Sequence, residues 1–189
     1  MPAAPKRKTA APPPRLQGPM LDFLFRRLTS KPKRGAELFE AATGLARQPH
    51  WYLEGEVPDT LDGRFAVLAT VVALVLVRLE ADGDEGNPSS VALTERFIEV
   101  MEAEHRELGM GDPTLGRTVR KLVGSLARRT DLWRSVTDGG KDWDSAVRAS
   151  LYKTGVSADA LAHSKGALKD LWASLEKCSL EDISEGRLR

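Results

Sequence analysis

DTLDGRFAVLATVVALVLVRLE, residues 59–80, decides how the rest of the chain must be arranged. Between Arg64 and Arg78 lie thirteen uncharged residues, of which only Thr70 is polar. A membrane span needs roughly 20 apolar residues to cross about 30 Å of hydrocarbon, so this run is too short for one. As a helix over 61–79 it is apolar on nearly every side, and such a helix has to be wrapped by other elements. Its valines would also suit a buried strand. Helix is the preferred reading, because the run is long for a strand and its neighbours read as helices. Asp59 or Thr60 can cap the first turn, Asp62 faces the positive end of the helix dipole, and Arg78 suits the negative end. The predicted fold is all-α: a single irregular bundle of six to seven helices around a buried central hydrophobic helix.

The chain has 189 residues, enough for one domain with a real core. Its net charge of +1 hides an asymmetry. Residues 1–34 carry +8 and the remainder −7. A basic arm on an acidic body suits an anionic surface, either lipid head groups or nucleic acid, or else is a solvated leader. Cys178 is the single cysteine, so no internal disulfide can form, in keeping with a reducing compartment. The N-terminus shows no apolar h-region, so no secretory signal is expected.

Residues 1–19 read as a disordered, basic, Pro-rich leader. Residues 20–34 read as a short amphipathic basic segment. Leu21, Leu24, Phe25 and Leu28 fall at helical spacing, with Arg26, Arg27, Lys31, Lys33 and Arg34 beside or after them. Such a segment could lie in a membrane surface or dock on the body. Residues 35–178 are the expected helical domain. A helix over 35–48 shows Leu38, Phe39, Ala42, Leu45 and Ala46 on one face and stops at Pro49. The cluster His50, Trp51, Tyr52 and Leu53 then leads through a structured loop into the central helix, with Val57 held extended by Pro58.

Residues 82–89 read as an exposed turn, with Ser90 capping the next helix. That helix buries Leu93, Phe97, Val100, Met101 and Leu108, and is acidic elsewhere. After a five-residue turn, Asp112 and Pro113 open a helix with Leu115, Val119, Leu122, Val123 and Leu126 inward. Arg117, Arg120, Lys121, Arg128 and Arg129 make its outside basic, and the two helices suit an antiparallel pair. A helix from Trp143 is expected to end near Gly155, and Ser157 to cap the last one. Residues 179–189 are expected to be a polar tail that frays.

The sequence offers little for catalysis. His50, His105 and His163 lie too far apart in sequence to form a helical metal pair. His105 beside Glu102 and Glu104 is the one carboxylate–imidazole grouping, and a solvated helix face explains it. No phosphate-binding loop, dinucleotide fingerprint, zinc-protease motif or nucleophile elbow occurs. Asp59 and Asp62 are better read as capping groups than as paired acids. No catalytic residue, metal site, cofactor or small-molecule substrate is expected. Two polar turns, PDTLDGRF and LGMGDP, ask for special geometry. Gly63 inside a first helical turn is locally unfavourable by at most roughly 1 kcal/mol, and close approach of a neighbouring backbone would explain it.

At these two turns the chain resembles a known family. VPDTLDGRFAVLATVVALVLVRLE (57–80) resembles one signature of the ubiquinol–cytochrome c chaperone family, and MEAEHRELGMGDPTLGRTVRKLV (101–123) resembles the second. The aromatic step PHWYLEGEVPDT agrees, and the resemblance covers about residues 36–152. Asp59, Asp62, Gly63, Arg64 and Phe65 match the first motif. Arg106, Glu107, Gly109, Gly111, Asp112, Arg117, Arg120 and Lys121 match the second. Where the family often has an aromatic and a Gly before an Arg, this chain has Leu126, Ala127, Arg128 and Arg129. The Pro-rich leader is not part of the family pattern, and no clear mitochondrial address is present.

The resemblance implies an all-α assembly factor of the bc1 complex that binds newly made cytochrome b, or a factor bound to it. Its partners would be that protein client, a second assembly factor, and an anionic membrane surface or ribosome met through the N-terminal arm. Its place would be the cytoplasm or the inner-membrane surface of a bacterium, or the matrix side of a mitochondrion. The alternative is a peripheral membrane or nucleic-acid binding module with no respiratory role.

Overall fold

The oily run forms a helix. In the computed structural model, which describes residues 35–107 and 112–188 (backbone alone at 112–115), it spans Leu61–Glu80. Eight α-helices occur among the described residues, and no strand. They are α1 (Ala36–Ala46), α2 (His50–Leu53), α3 (Leu61–Glu80), α4 (Asn87–Glu107), α5 (Asp112–Thr137), α6 (Trp143–Leu151), α7 (Ala158–Leu175) and α8 (Leu180–Ser184). The expected leader 1–19, the segment 20–34 and the turn residues 108–111 lie outside the described residues.

Helix α3 is the central post. Val67, Val71, Val72, Ala73, Leu74 and Val75 are fully buried, and α1, α4, α5, α6 and α7 all pack on it. Burying each Val or Leu contributes roughly 1.5–3 kcal/mol, so this one element anchors the hydrophobic core. Thr70 sits among them without cost, because its hydroxyl donates to the Ala66 carbonyl at 2.7 Å. Arg78 lies in the last turn, and its side chain leaves the helix sideways. Nε donates to the Leu175 carbonyl at 3.0 Å and Nη2 to the Cys178 carbonyl at 2.9 Å. Nη1 pairs with Asp82 at 2.7 Å. One guanidinium thus satisfies the carbonyls at the end of α7, where a cation is also favoured by the helix dipole.

Several boundaries differ from the sequence reading. The step after Pro49 is a one-turn helix, α2, before the loop begins. A 3-10 turn, Gly83–Glu85, fills part of the expected exposed connection. Helix α4 starts at Asn87 with Pro88 in its first turn, so Ser90 lies inside it instead of capping it. Helix α6 stops at Leu151, short of Gly155. Ser157 does cap α7, accepting from the Ala160 N–H at 3.1 Å.

The expectation of fraying after Cys178 is corrected. Ser179 and Asp182 form a reciprocal capping box that starts α8. Ile183 and Leu188 are both buried, and Ser89 meets Ser184 at 2.8 Å. The polar letters that suggested a tail are the cap of a helix docked by two apolar side chains.

Candidate functional site

The first motif builds the end of the molecule where α3 begins. Thr60 is extended and its Oγ1 accepts from the Gly63 N–H at 3.2 Å, which closes the first turn of α3. The Thr60 N–H donates to the Pro58 carbonyl at 2.8 Å. That carbonyl lies against the Gly63 Cα, so a Cβ at 63 would collide with it. The expected close approach at Gly63 is therefore made by the loop just upstream. Arg64 Nε donates to Asp59 at 2.6 Å, and that bond holds the Asp59 carboxyl below its usual range. Asp62 pairs with Lys153, in the turn after α6, at 2.5 Å. Both pairs are solvent-exposed, so neither is a strong anchor.

Phe65 turns inward from the same motif. Its ring centre lies 6.0 Å from that of Phe97 on α4, and the Arg129 guanidinium stands over it at 5.8 Å. Arg129 was expected on the outer basic face of α5. It is instead drawn inward, donating to the Ser150 carbonyl at 3.1 Å and to the Ser125 hydroxyl. Burial, with a smaller effect from Arg128, pushes its pKa below the usual guanidinium value. Phe65 and Arg129 thereby lock α3, α5 and α6 together.

The loop feeding the motif is held from both sides. Trp51 is buried and its indole N–H donates to the Leu45 carbonyl at 2.9 Å. The Tyr52 hydroxyl donates to the Ala46 carbonyl at 3.1 Å. Tyr152 donates to the Gly55 carbonyl at 2.6 Å and meets Ser164 at 2.8 Å. Burial raises the pKa of both tyrosines. A Cβ at Gly55 would lie 2.6 Å from the Trp51 carbonyl oxygen. Glu56, next to it, takes a positive φ of 51° that a side-chain-bearing residue rarely adopts.

The second motif is mostly surface. Arg106 and Glu107 are exposed in the last turn of α4, and Gly109 and Gly111 lie outside the described residues. Asp112 opens α5. Arg117, Arg120, Lys121 and Arg128 are exposed along α5. At 100° per residue these four fall on one face of the helix. Gly124, in the middle of that face, carries no side chain to cover the backbone.

His105 does not assemble a site. Its Nδ1 meets the Met101 carbonyl of its own helix at 2.7 Å. His50 and His163, 113 positions apart, do meet. His50 Nδ1 lies 3.1 Å from His163 Nε2, and His50 Nε2 lies 3.1 Å from the Gln48 amide oxygen. Nothing in the sequence spacing pointed to this pair. Among the described residues no group of three or more His, Cys, Asp or Glu could hold a metal ion, and no helix is long and apolar enough to cross a membrane. An open groove of about 470 Å³, lined by Leu76, Leu79, Glu80, Asp84, Val91 and Glu95, lies between the end of α3 and the start of α4.

No curated protein matches the sequence. The crystal structure of the Cbp3 homolog from Brucella abortus superimposes with a TM-score of 0.69, covering 88% of this chain and 93% of that one at 22% identity. At that identity the likeness establishes the fold. The model of the ubiquinol–cytochrome C chaperone family matches residues 54–189. It takes in both motif stretches and reaches beyond residue 152, the limit of the resemblance read from the sequence, to include α7 and α8. With that much of its length matched, the chain belongs to the ubiquinol–cytochrome C chaperone family.

Proposed function

We propose that this protein is an assembly chaperone that binds newly made cytochrome b, or a factor bound to it, during biogenesis of the bc1 complex. The observation that carries this reading is the family match over residues 54–189. A holding role needs no catalytic centre. It needs a rigid frame and exposed recognition surfaces, and a buried post wrapped by five helices is such a frame. The basic stripe Arg117, Arg120, Lys121 and Arg128 is one surface suited to a partner, because exposed charge steers encounter and sets orientation. The N-terminal arm, with Leu21, Leu24, Phe25, Arg26, Arg27, Lys31, Lys33 and Arg34, is proposed as the attachment to an anionic membrane surface or a ribosome. The place of action is then the cytoplasmic side of a bacterial inner membrane, or the matrix side in a mitochondrion.

The test is capture and loss together. Tagged protein is recovered from solubilised membranes, and bc1 levels are measured with and without the gene by difference spectra of the b-type haem. Enrichment of cytochrome b and a fall in bc1 are expected. If no bc1 subunit is enriched and bc1 is unchanged, the proposal is wrong. Removal of residues 1–34 tests the attachment separately, since loss of membrane or ribosome co-sedimentation with client capture intact is the expected result.

A further inference from the structure

Among the described residues the large apolar side chains left most exposed are Leu53 (72%), Leu61 (70%) and Val91 (49%). Two of the three bracket one short loop. Leu53 ends α2, Leu61 begins α3, and residues 54–60 run between them. Both leucines sit at the same end of the molecule. The Pro58 carbonyl folds back onto Gly63, and the phenol of Tyr52, beside Leu53, feels the charges of Arg64 and Asp59.

This loop is fixed before any partner arrives. The Gly55 carbonyl accepts from Tyr152, and the Trp51 carbonyl and the Ser164 hydroxyl crowd its Cα. Val57 is buried and its N–H donates to the Trp51 carbonyl at 3.0 Å. Between these two anchors Glu56 is left exposed in its left-handed conformation. Backbone held in a rarely populated region clusters at sites of function. Two bulky apolar side chains on a fixed frame are a surface prepared for binding, because little freedom is lost when they are covered.

The charge around them selects the partner. Residues 53–62 contain Glu54, Glu56, Asp59 and Asp62 and no Lys or Arg. Asp59 and Asp62 are matched by Arg64 and Lys153, whereas Glu54 and Glu56 have no ion pair among the described residues. Arg47 and Arg148 also act on the tyrosines that hold the loop, Tyr52 and Tyr152, so Glu54 and Glu56 are the charge that the loop itself offers to a partner. A second copy docking face to face would set the same acids against each other. A segment that is apolar and cationic meets both requirements. That is the chemistry of the end of a membrane-spanning helix on the side that is not translocated, where Lys and Arg concentrate.

We infer that Leu53 and Leu61, with Glu54 and Glu56 beside them, form the client grip of this chaperone, and that the grip takes the apolar end of a membrane segment together with its flanking Lys or Arg. The inference rests on the chaperone reading and adds the site and the class of ligand.

The experiment places photo-reactive p-benzoylphenylalanine at 53, 61, 91 or 120 of the full chain while cytochrome b is synthesised in the same cells. Cross-links to cytochrome b are expected from 53 and 61 and not from 91. Changing the Lys and Arg that flank the client's spans to Glu should weaken the cross-link about tenfold, as like charges meet. The double change Glu54→Lys/Glu56→Lys in the chaperone should restore it, and Glu54→Lys alone serves if that variant does not fold. Cross-links only from 91 or 120, or cross-links from 53 and 61 that ignore the charge reversal, overturn the grip while leaving the assembly role standing. Absence of any cross-link together with unchanged bc1 levels overturns the assembly role itself.

Discussion

Gly63→Ala separates the helix's own preference from the structure around it. Alanine is the better helix former, by up to about 1 kcal/mol in a helix interior. Propensity alone therefore predicts a more stable protein. The structure predicts the reverse, since the new Cβ would collide with the Pro58 carbonyl oxygen, with the Val57 side chain 3.4 Å away on the same side. The obstacle is backbone, fixed by the Thr60 N–H and by buried Val57, so it cannot rotate out of the way. Pushing it aside also disturbs the Thr60 cap, itself worth about 1 kcal/mol. Overpacking of this kind costs about 1–3 kcal/mol, which outweighs the propensity gain and leaves a net loss. For a domain of this size each kcal/mol lost lowers Tm by roughly 2–4 °C. Gly44→Ala in α1 and Gly166→Ala in α7 are the controls, because nothing lies within 4 Å of a Cβ at either position. They should stabilise by about 0.5–1 kcal/mol. Urea denaturation with an unchanged slope would measure all three. A Gly63→Ala protein as stable as the controls would refute the close approach as the reason for glycine here.

Arg78→Ala should destabilise by about 2–3 kcal/mol, since it strips charged donors from two carbonyls at the end of α7; Arg78→Lys should not rescue, because an ammonium cannot reach Leu175, Cys178 and Asp82 in one fork. Tyr152→Phe should cost about 1–2 kcal/mol and speed amide exchange over residues 54–57, which it holds through the Gly55 carbonyl. Arg134→Ala removes a two-pronged bond to Glu80, yet the pair is exposed, so the loss should stay near or below about 1 kcal/mol and shrink in salt. The Ser179 hydroxyl first, and Arg187 second, hold the Asp182 carboxyl below its ordinary pKa of 3.8. A depressed folded pKa means the stabilisation is complete above that value and is lost as the pH falls below it. NMR shifts of residues 180–184 should thus lose helical character on acidification, ahead of those of α3.

The architecture was legible in the sequence because one element overdetermined it. A run of thirteen uncharged residues has to be buried, its length favoured a helix over a strand, and the helices around it carried apolar faces wide enough to find. Thr60, Ser157 and the Gly63 approach were readable because caps and tight turns use few residue types. Elements of four or five residues were not, since α2 and α8 are too short to show a period. The His50–His163 contact was invisible for a different reason: it joins positions 113 apart and depends on how α2 meets α7. Arg129 was misplaced because a guanidinium on a helix reads as solvent-facing. Only the neighbouring Phe65 ring and Ser150 carbonyl show why it turns inward.

The two family motifs are therefore unequal as guides to function. Thr60, Gly63, Arg64 and Phe65 are spent on closing the first turn of α3 and locking it to the loop and to α4 and α5. A variant at Gly63 or Phe65 that loses activity should also lose stability, and raising stability elsewhere, by Gly44→Ala and Gly166→Ala, should restore part of the activity. Arg120 and Lys121 are exposed on α5. Reversing their charge should leave the denaturation midpoint within about 0.5 kcal/mol of the parent, as for most surface changes. Any loss of bc1 assembly in such a variant then reports a contact with another protein. If Arg120→Glu and Lys121→Glu together unfold the chain, the stripe is part of the frame and not a surface for partners.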